Sequence, residues 1–320
     1  MNTRTLGRTG LRVSDIGLGT WAFASQIYGE VATTDAEDTI RAAVDAGVTL
    51  FDTAPLYGDD ERNGISEEIL GRVLGGDRQR VLISTKFGRY STDGAAPNFH
   101  AQRARESVEG SLKRLGTDHL DVLFFHSPFG PQDIHDDVWD ELATLKDEGK
   151  VNVIGHSISM FEDTKGMARE WAAERKIDVI QVVYSLMNRE ASDLIADLGA
   201  DGVGIVARES LANGFLSGAI TRDTVFDPGH LNARYPREEI EARVDYCEQL
   251  TDLLVRDDIT TLPQASFRWV LDNDHVSLVL SGASTPAQLL DTVAASDASP
   301  FTDAEHARAD ALHTQDFQAA

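Results

Sequence analysis

The sequence predicts one closed, parallel (β/α)8 barrel, with a β-hairpin in front and a long loop-and-helix insertion in its C-terminal half. Three observations predict it. Short apolar runs alternate with helical patterns along the 320 residues, which is the mark of a parallel sheet. About eight such runs occur, most of them roughly 25–40 residues apart, the size of one βα repeat. No glycine-rich dinucleotide fingerprint follows the first run, as it would in an open nucleotide-binding sheet.

The hairpin is read at residues 4–13, around Gly7-Arg8-Thr9-Gly10. The barrel strands follow at 15–19, 48–52, 81–86, 120–126, 151–157, 179–183, 202–207 and 276–280. Helix signals lie between them. Thr34 with Glu37 has the capping-box spacing, and Gly47 closes that helix. Asn98 stands ready to cap a helix striped by Val108, Leu112 and Leu115 and ended by Gly116. Thr285-Pro286-Ala287-Gln288 combines an N-cap, a proline at the first helical position and a capping glutamine. Thr302 with Glu305 repeats the capping box. The gap after 207 is too long for one helix, so it holds an insertion at 208–236 and an extra helix near 237–256. Long loops at a barrel mouth commonly select ligands. No composition shift divides the chain, so residues 1–320 are read as one domain.

Composition bounds the function. Apolar residues make up 42%, enough for a large core. The single cysteine, Cys247, allows no internal disulfide and fits a reducing compartment. No apolar run approaches the ~18 residues of a membrane span, and the N-terminus lacks a signal-like apolar stretch. A cytoplasmic protein is expected. The 53 acids against 29 Lys and Arg give a net charge of −24, the wrong sign for a nucleic-acid binder. The acids are spread over the helical patterns, as on a surface adapted to high salt, where screening weakens self-repulsion. Such a surface is expected to disfavour anionic substrates.

The strand ends carry the chemistry, because barrel enzymes place their sites there. FDTAPLYG at 51–58 puts Asp52 at a strand end and Tyr57 across the following turn. The next two strands end in Lys86 and His126, and the two after bring Ser157 and then Gln181 with Tyr184. A carbonyl that accepts a hydride must also gain a proton on oxygen. Tyr57 can give it, with Lys86 favouring the phenolate, Asp52 holding Lys86, and His126 orienting the substrate oxygen. No cluster with metal-ligand spacing accompanies them. Trp21, Phe23, Tyr28, Phe87 and Phe129 are candidates for an aromatic entrance.

FDTAPLYG, STKFG at 84–88 and LFFHSP at 123–128, in this order, resemble the aldo-keto reductase superfamily. LGRTGLRVSDIGLGTW at 6–21, GTDHLDVL at 116–123 and GFLSG at 214–218 extend the resemblance over nearly the whole chain. It implies a TIM-type barrel, reversible carbonyl–alcohol redox on a small molecule, and NADP(H) or NAD(H) bound without a Rossmann fold. It implies the tetrad Asp52, Tyr57, Lys86 and His126, with Tyr57 as general acid. It places Thr20 and Trp21 at the nicotinamide, Ser157 and Gln181 on the carboxamide, and Tyr184 against the ring. It sets Ser210, Leu211, Gly214 and Leu216 around the pyrophosphate. Gly282, Ser284, Thr285, Gln288 and Asp291 fall at the adenosine.

This chain departs from the family pattern at several positions. Ile158 stands where an asparagine is common, and Ser185 follows Tyr184 where asparagine is usual. Ser284 and Thr285 stand where NADP-preferring members carry a cation, and Ala219 where many carry lysine. The family leans slightly to NADP(H); the missing cation makes NAD(H) the rival, unless Arg208 or Arg222 compensates. Two further readings share these residues: a Schiff-base aldolase using Lys86, and a cofactor-binding regulatory subunit of the same fold.

Overall fold

The computed structural model describes residues 1–24 and 29–317. Tyr28 lies outside the described residues. The hairpin pairs β1 (Thr3–Thr5) with β2 (Arg12–Ser14), with Arg4 opposite Val13. The barrel strands are β3 (Ile16–Gly19), β4 (Leu50–Asp52), β5 (Leu82–Phe87), β6 (Leu120–His126), β7 (Val151–Ser157), β8 (Val179–Val183), β9 (Gly204–Arg208) and β10 (Leu278–Ser281). They close in the order β10-β3-β4-β5-β6-β7-β8-β9, all parallel. The expected eight-stranded barrel and its leading hairpin are both present.

Helices follow the strands: α1 (Thr33–Asp45), α2 (Ile65–Leu74), α3 (Ala101–Leu115), α4 (Asp137–Asp147), α5 (Phe161–Ala173) and α6 (Ser192–Ala200). The long gap holds the insertion, the extra helix α7 (Arg237–Leu254) and then α8 (Leu262–Leu271). After β10 come α9 (Pro286–Val293) and α10 (Asp303–Leu312).

Two apolar layers form the core. Strand residues alternate between barrel interior and helix layer. Leu50, Val122, Phe124, Val153, Val179, Val206, Leu278 and Leu280 fill the lower barrel, joined by Leu6 and Val13 of the hairpin. The hairpin therefore plugs the barrel floor. Gly7 makes this approach possible. Its φ is +49°, and a Cβ there would meet the Gly204 nitrogen at 2.2 Å. The Phe124 ring needs Gly155 on the neighbouring strand, where a Cβ would come within 2.5 Å of it. The opposite strand faces pack on the helices, with Phe125 at 4.8 Å from Trp171 and 5.1 Å from Trp139 between ring centres.

Thr285 caps α9 by accepting from the Gln288 amide at 3.3 Å. Thr302 and Glu305 form the expected capping box on α10, and Gly116 ends α3 with φ 65°. Two expectations fail. Helix α1 is capped by Ala32 without a side-chain bond, because Glu37 instead accepts from Arg41 and Arg72, each at 2.9 Å. Two guanidinium partners, charged on both sides of the bond, replace a single bond to a backbone amide. Asn98 does not cap α3; His100 holds that position. The chain at 98–99 is extended, with Phe99 bridging Ile134 and the Asn98 amide donating to the Gly88 carbonyl.

Candidate active site

The inward residues of β5, β6 and β7 change character from floor to mouth. On β5 they run Leu82, Ser84, Lys86; on β6, Val122, Phe124, His126; on β7, Val153, Gly155, Ser157. The polar end of every series lies at the C-terminal edge of the barrel, so these side chains converge on one mouth.

Asp52 and Lys86 form the centre. Lys86 Nζ donates to Asp52 Oδ1 at 2.5 Å, to the Thr53 carbonyl at 3.0 Å and to the Tyr57 hydroxyl at 2.9 Å. Asp52 Oδ2 accepts from Ser84 Oγ at 2.7 Å and from Gln181 Nε2 at 3.0 Å. Gln181 in turn accepts from Ser157 Oγ at 3.2 Å. The chain of bonds crosses the barrel from β8 to β4. Asp52 and Lys86 are almost fully buried, at 2% and 1% exposure, so each charge needs the other.

Tyr57 reaches the mouth from the turn after β4. Its ring stands edge-on to His126, with centroids 5.9 Å apart at 85°. On its other side Trp21 stacks at 6.3 Å and 27°. His126 is buried, and its Nδ1 has no hydrogen-bond partner among the described residues. Burial, then the charges of Lys86, Arg89 and Arg208, hold its imidazole well below the ordinary histidine range. His126 is therefore neutral at physiological pH. Burial would also lower Lys86, but Asp52 and Tyr57 together hold its ammonium above the ordinary value.

Tyr57 corrects a simple expectation. Lys86 does favour its phenolate, as the sequence suggested. Burial outweighs that effect and raises the phenol above its ordinary value. The group stands as a neutral acid beside a fixed cation.

The remaining predicted residues divide. The Thr20 amide and hydroxyl both donate to the Asp52 carbonyl, at 2.9 and 3.0 Å, beside Trp21 at the mouth. Ser210 Oγ donates to the Tyr184 carbonyl at 3.0 Å, and Leu211, Gly214 and Leu216 continue a tight loop. Glu209, Ala212 and Asn213 adopt positive φ there, a conformation that non-glycine residues hold only under surrounding constraint. The Gly214 and Leu216 amides both turn to the Leu211 carbonyl, at 3.0 and 3.1 Å. Gly282, Ser284 and Thr285 lead into the N-terminus of α9, and space is open beside Gly282.

Four of the predicted residues have other contacts in the structure. Tyr184 packs on Trp269, with ring centres 5.0 Å apart. It lies one residue past the end of β8. Gln288 spends its carbonyl on the Ser284 amide and hydroxyl, at 3.0 and 3.1 Å. Both Asp291 oxygens accept from Thr261, each at 3.0 Å, and one also from Gln264 at 2.7 Å. Phe87 belongs to the outer layer, against Phe99 and Phe125, whereas Phe129 is 41% exposed. His156 is also outward, 5.0 Å from Trp171.

Three site residues were not singled out for these roles. Ser84 shares the inward face with Lys86, so strand alternation alone could have found it. Arg208 ends β9 on the inward face, donates to the Ile158 carbonyl at 2.9 Å and pairs with Glu209. Arg89 follows β5 and carries no sequence signal beyond its nearness to Lys86.

The relationship to known proteins matches this geometry. The model of the aldo/keto reductase family covers residues 15–314. The chain belongs to the aldo/keto reductase family. It is 32% identical over 297 residues to aldo-keto reductase YhdN of Bacillus subtilis, covering 90% of this chain and 87% of that protein. It is likewise 32% identical over 311 residues to the NADH-specific methylglyoxal reductase of Escherichia coli, covering 91% and 92%. Among solved structures it resembles the glycerol dehydrogenase of Gluconobacter oxydans, with TM-score 0.79, 28% identity and coverage of 97% and 94%. As an aldo-keto reductase, the chain is an NAD(P)-dependent oxidoreductase acting on carbonyl and alcohol groups. No described helix is long and apolar enough to cross a membrane.

Proposed function

We propose that this aldo-keto reductase interconverts an aldehyde or ketone and its alcohol at the barrel mouth, with Tyr57 as the proton donor. One observation carries the reading: the Lys86 ammonium touches both the Tyr57 hydroxyl at 2.9 Å and the Asp52 carboxylate at 2.5 Å. A dinucleotide suits the residues present, since His126 Nδ1 and Arg208 Nε are buried there without partners among the described residues. Thr20, Trp21, Ser157 and Gln181 would hold its nicotinamide end, the loop from Ser210 to Leu216 its pyrophosphate, and Gly282, Ser284 and Thr285 its adenosine end. When bound, it supplies the hydride that adds to the carbonyl carbon.

The chain supplies the proton. Tyr57 transfers its hydroxyl proton to the carbonyl oxygen, so the products are one alcohol and one phenolate. The fixed Lys86 ammonium stabilises that phenolate. Asp52 keeps Lys86 charged and aimed, and Ser84 and Gln181 keep Asp52 in place. Neutral His126 offers a hydrogen bond to the substrate oxygen without competing for its proton. A proton from solvent restores Tyr57, and the reverse sequence serves alcohol oxidation.

We further propose NADH as the preferred donor. Arg222 is paired with Asp245, and Arg208 with Glu209 and the Ile158 carbonyl. Neither compensates for the hydroxyls at Ser284 and Thr285. The Escherichia coli relative, named an NADH-specific methylglyoxal reductase, is in line with this.

The test is dinucleotide oxidation with a panel of aldehydes, ketones and sugars, for the native chain and Tyr57→Phe. Loss of roughly 10²–10⁴-fold in kcat is expected on removing the acid. Unchanged turnover in Tyr57→Phe would refute the assignment. Trapping of substrate on Lys86 by borohydride would favour the aldolase reading instead.

A further inference from the structure

We propose that the substrate carries an anionic group, a carboxylate or a phosphate, and that Arg89 receives it. The inference rests on the barrel mouth being the place where the carbonyl is reduced. Arg89 stands three positions beyond Lys86, past the end of β5, and Phe129 stands three beyond His126, past the end of β6. The Arg89 guanidinium lies 5.0 Å from the centre of the Phe129 ring. Together they form a wall beside the two strand ends that present Lys86 and His126. Phe129 is an exposed aromatic, so that wall is open to a ligand.

No carboxylate contacts Arg89 directly, and Asp133 and Asp93 act on it only from further away. Its Nε donates to the Ala95 carbonyl at 2.7 Å. Among the described residues, neither terminal nitrogen has a hydrogen-bond partner and no carboxylate lies within 4.0 Å. This is against the composition, since acids outnumber bases by 53 to 29. The neighbouring acids are committed elsewhere. Asp93 accepts from Arg103 at 2.8 Å, and Asp133 from the Phe129 amide at 2.6 Å. A half-buried guanidinium with both terminal nitrogens open is suited to planar, bidentate recognition of a carboxylate or phosphate.

The cofactor's phosphates do not answer this need. The loop 210–218 follows β9, and α9 follows β10. In the closed order, β5 and β6 stand diametrically across the barrel from β9 and β10. An anion at Arg89 therefore belongs to the substrate. Lys86 and Arg208 are paired with Asp52 and Glu209, whereas Arg89 has no carboxylate in contact among the described residues, although the chain is strongly acidic. Charges in a recessed site are screened less than those on the surface, and the local sign decides what binds.

The experiment uses two matched pairs of aldehydes: 4-oxobutanoate with butanal, and glyceraldehyde 3-phosphate with glyceraldehyde. The ratio of kcat/KM for the charged over the neutral member is measured in the native chain, Arg89→Leu and Arg89→Lys. The native ratio is expected to exceed about tenfold in one pair, which tells carboxylate from phosphate. Arg89→Leu should reduce that ratio at least about tenfold, chiefly through KM, and Arg89→Lys should restore part of it. A native ratio near one in both pairs, or a ratio unmoved in Arg89→Leu, overturns the inference. If the neutral aldehydes are then still reduced with dependence on Tyr57, the proposed reaction stands alone. If none of the four is reduced, both readings fall.

Discussion

The ammonium of Lys86 sits between Asp52 and the hydroxyl of Tyr57, donating to both, in a pocket where it is 1% exposed. A buried cation cannot take such a place unless a counter-charge holds it. The same contact makes the phenolate of Tyr57 affordable after proton transfer. The proton donor and its electrostatic support are thus one structural unit.

Replacing Lys86 by Met should therefore cost carbonyl reduction roughly as much as replacing Tyr57, about 10²–10⁴-fold in kcat. In the native chain, reduction should stay level from about pH 6 to pH 9, since Tyr57 keeps its proton and the depressed His126 is neutral throughout. It should fall above that range as Tyr57 ionises. A pH–rate profile showing a limb near the ordinary histidine value would contradict the neutral assignment of His126.

Cofactor choice turns on Ser284. The native chain should favour NADH over NADPH by at least about tenfold in kcat/KM, lacking a charge-assisted partner for the 2′-phosphate. Ser284→Arg should narrow or reverse that ratio. A strong native preference for NADPH would defeat the argument from charge.

His156 links stability to acid. It is buried against Trp171, its two ring nitrogens have no partner among the described residues, and burial lowers it to about 3. Its folded-state value lies below the unfolded one, so the unfolded chain binds the proton first as pH falls. Stability is then complete above about pH 6.5 and is lost at up to about 1.4 kcal/mol per pH unit down to about pH 3. Denaturant titrations should show a shallower slope in His156→Leu over that window. Identical slopes would place the acid sensitivity elsewhere.

Arg243 ties the insertion together. It is 1% exposed and lies 4.1 Å from the Tyr235 ring, 5.1 Å from Phe215 and 5.0 Å from Phe317, while Glu239 accepts from it at 2.7 Å. One cation thus joins the extra helix, the loop that carries Gly214 and the C-terminal tail. Arg243→Ala should lose more than about 1 kcal/mol, through lost packing and cation–π contact with three rings, and thermal melting reads it directly. A change within about 0.5 kcal/mol, the range of ordinary surface substitutions, would rule out the clamp.

The net charge of −24 should make stability salt-dependent. Melting temperature is expected to rise between low and molar salt, as screening weakens repulsion among surface carboxylates. A flat or falling response would dismiss the high-salt reading of the composition.

Strand alternation and the order of polar strand ends are local properties, and they were enough to read the eight barrel strands and to pick Asp52, Tyr57, Lys86 and His126 as one group. Partner choice is not local. Glu37 left its expected cap for Arg72 on another helix, Tyr184 found Trp269 on α8, and Asp291 was taken by Thr261 and Gln264. Gln181 could reach Asp52 only because the sheet closes and brings β8 across from β4. A sequence states which face a side chain leaves by, through the period of its backbone. Which hydrogen-bond donors, rings and charges wait on that face depends on segments far away in the chain, and folding alone brings them there.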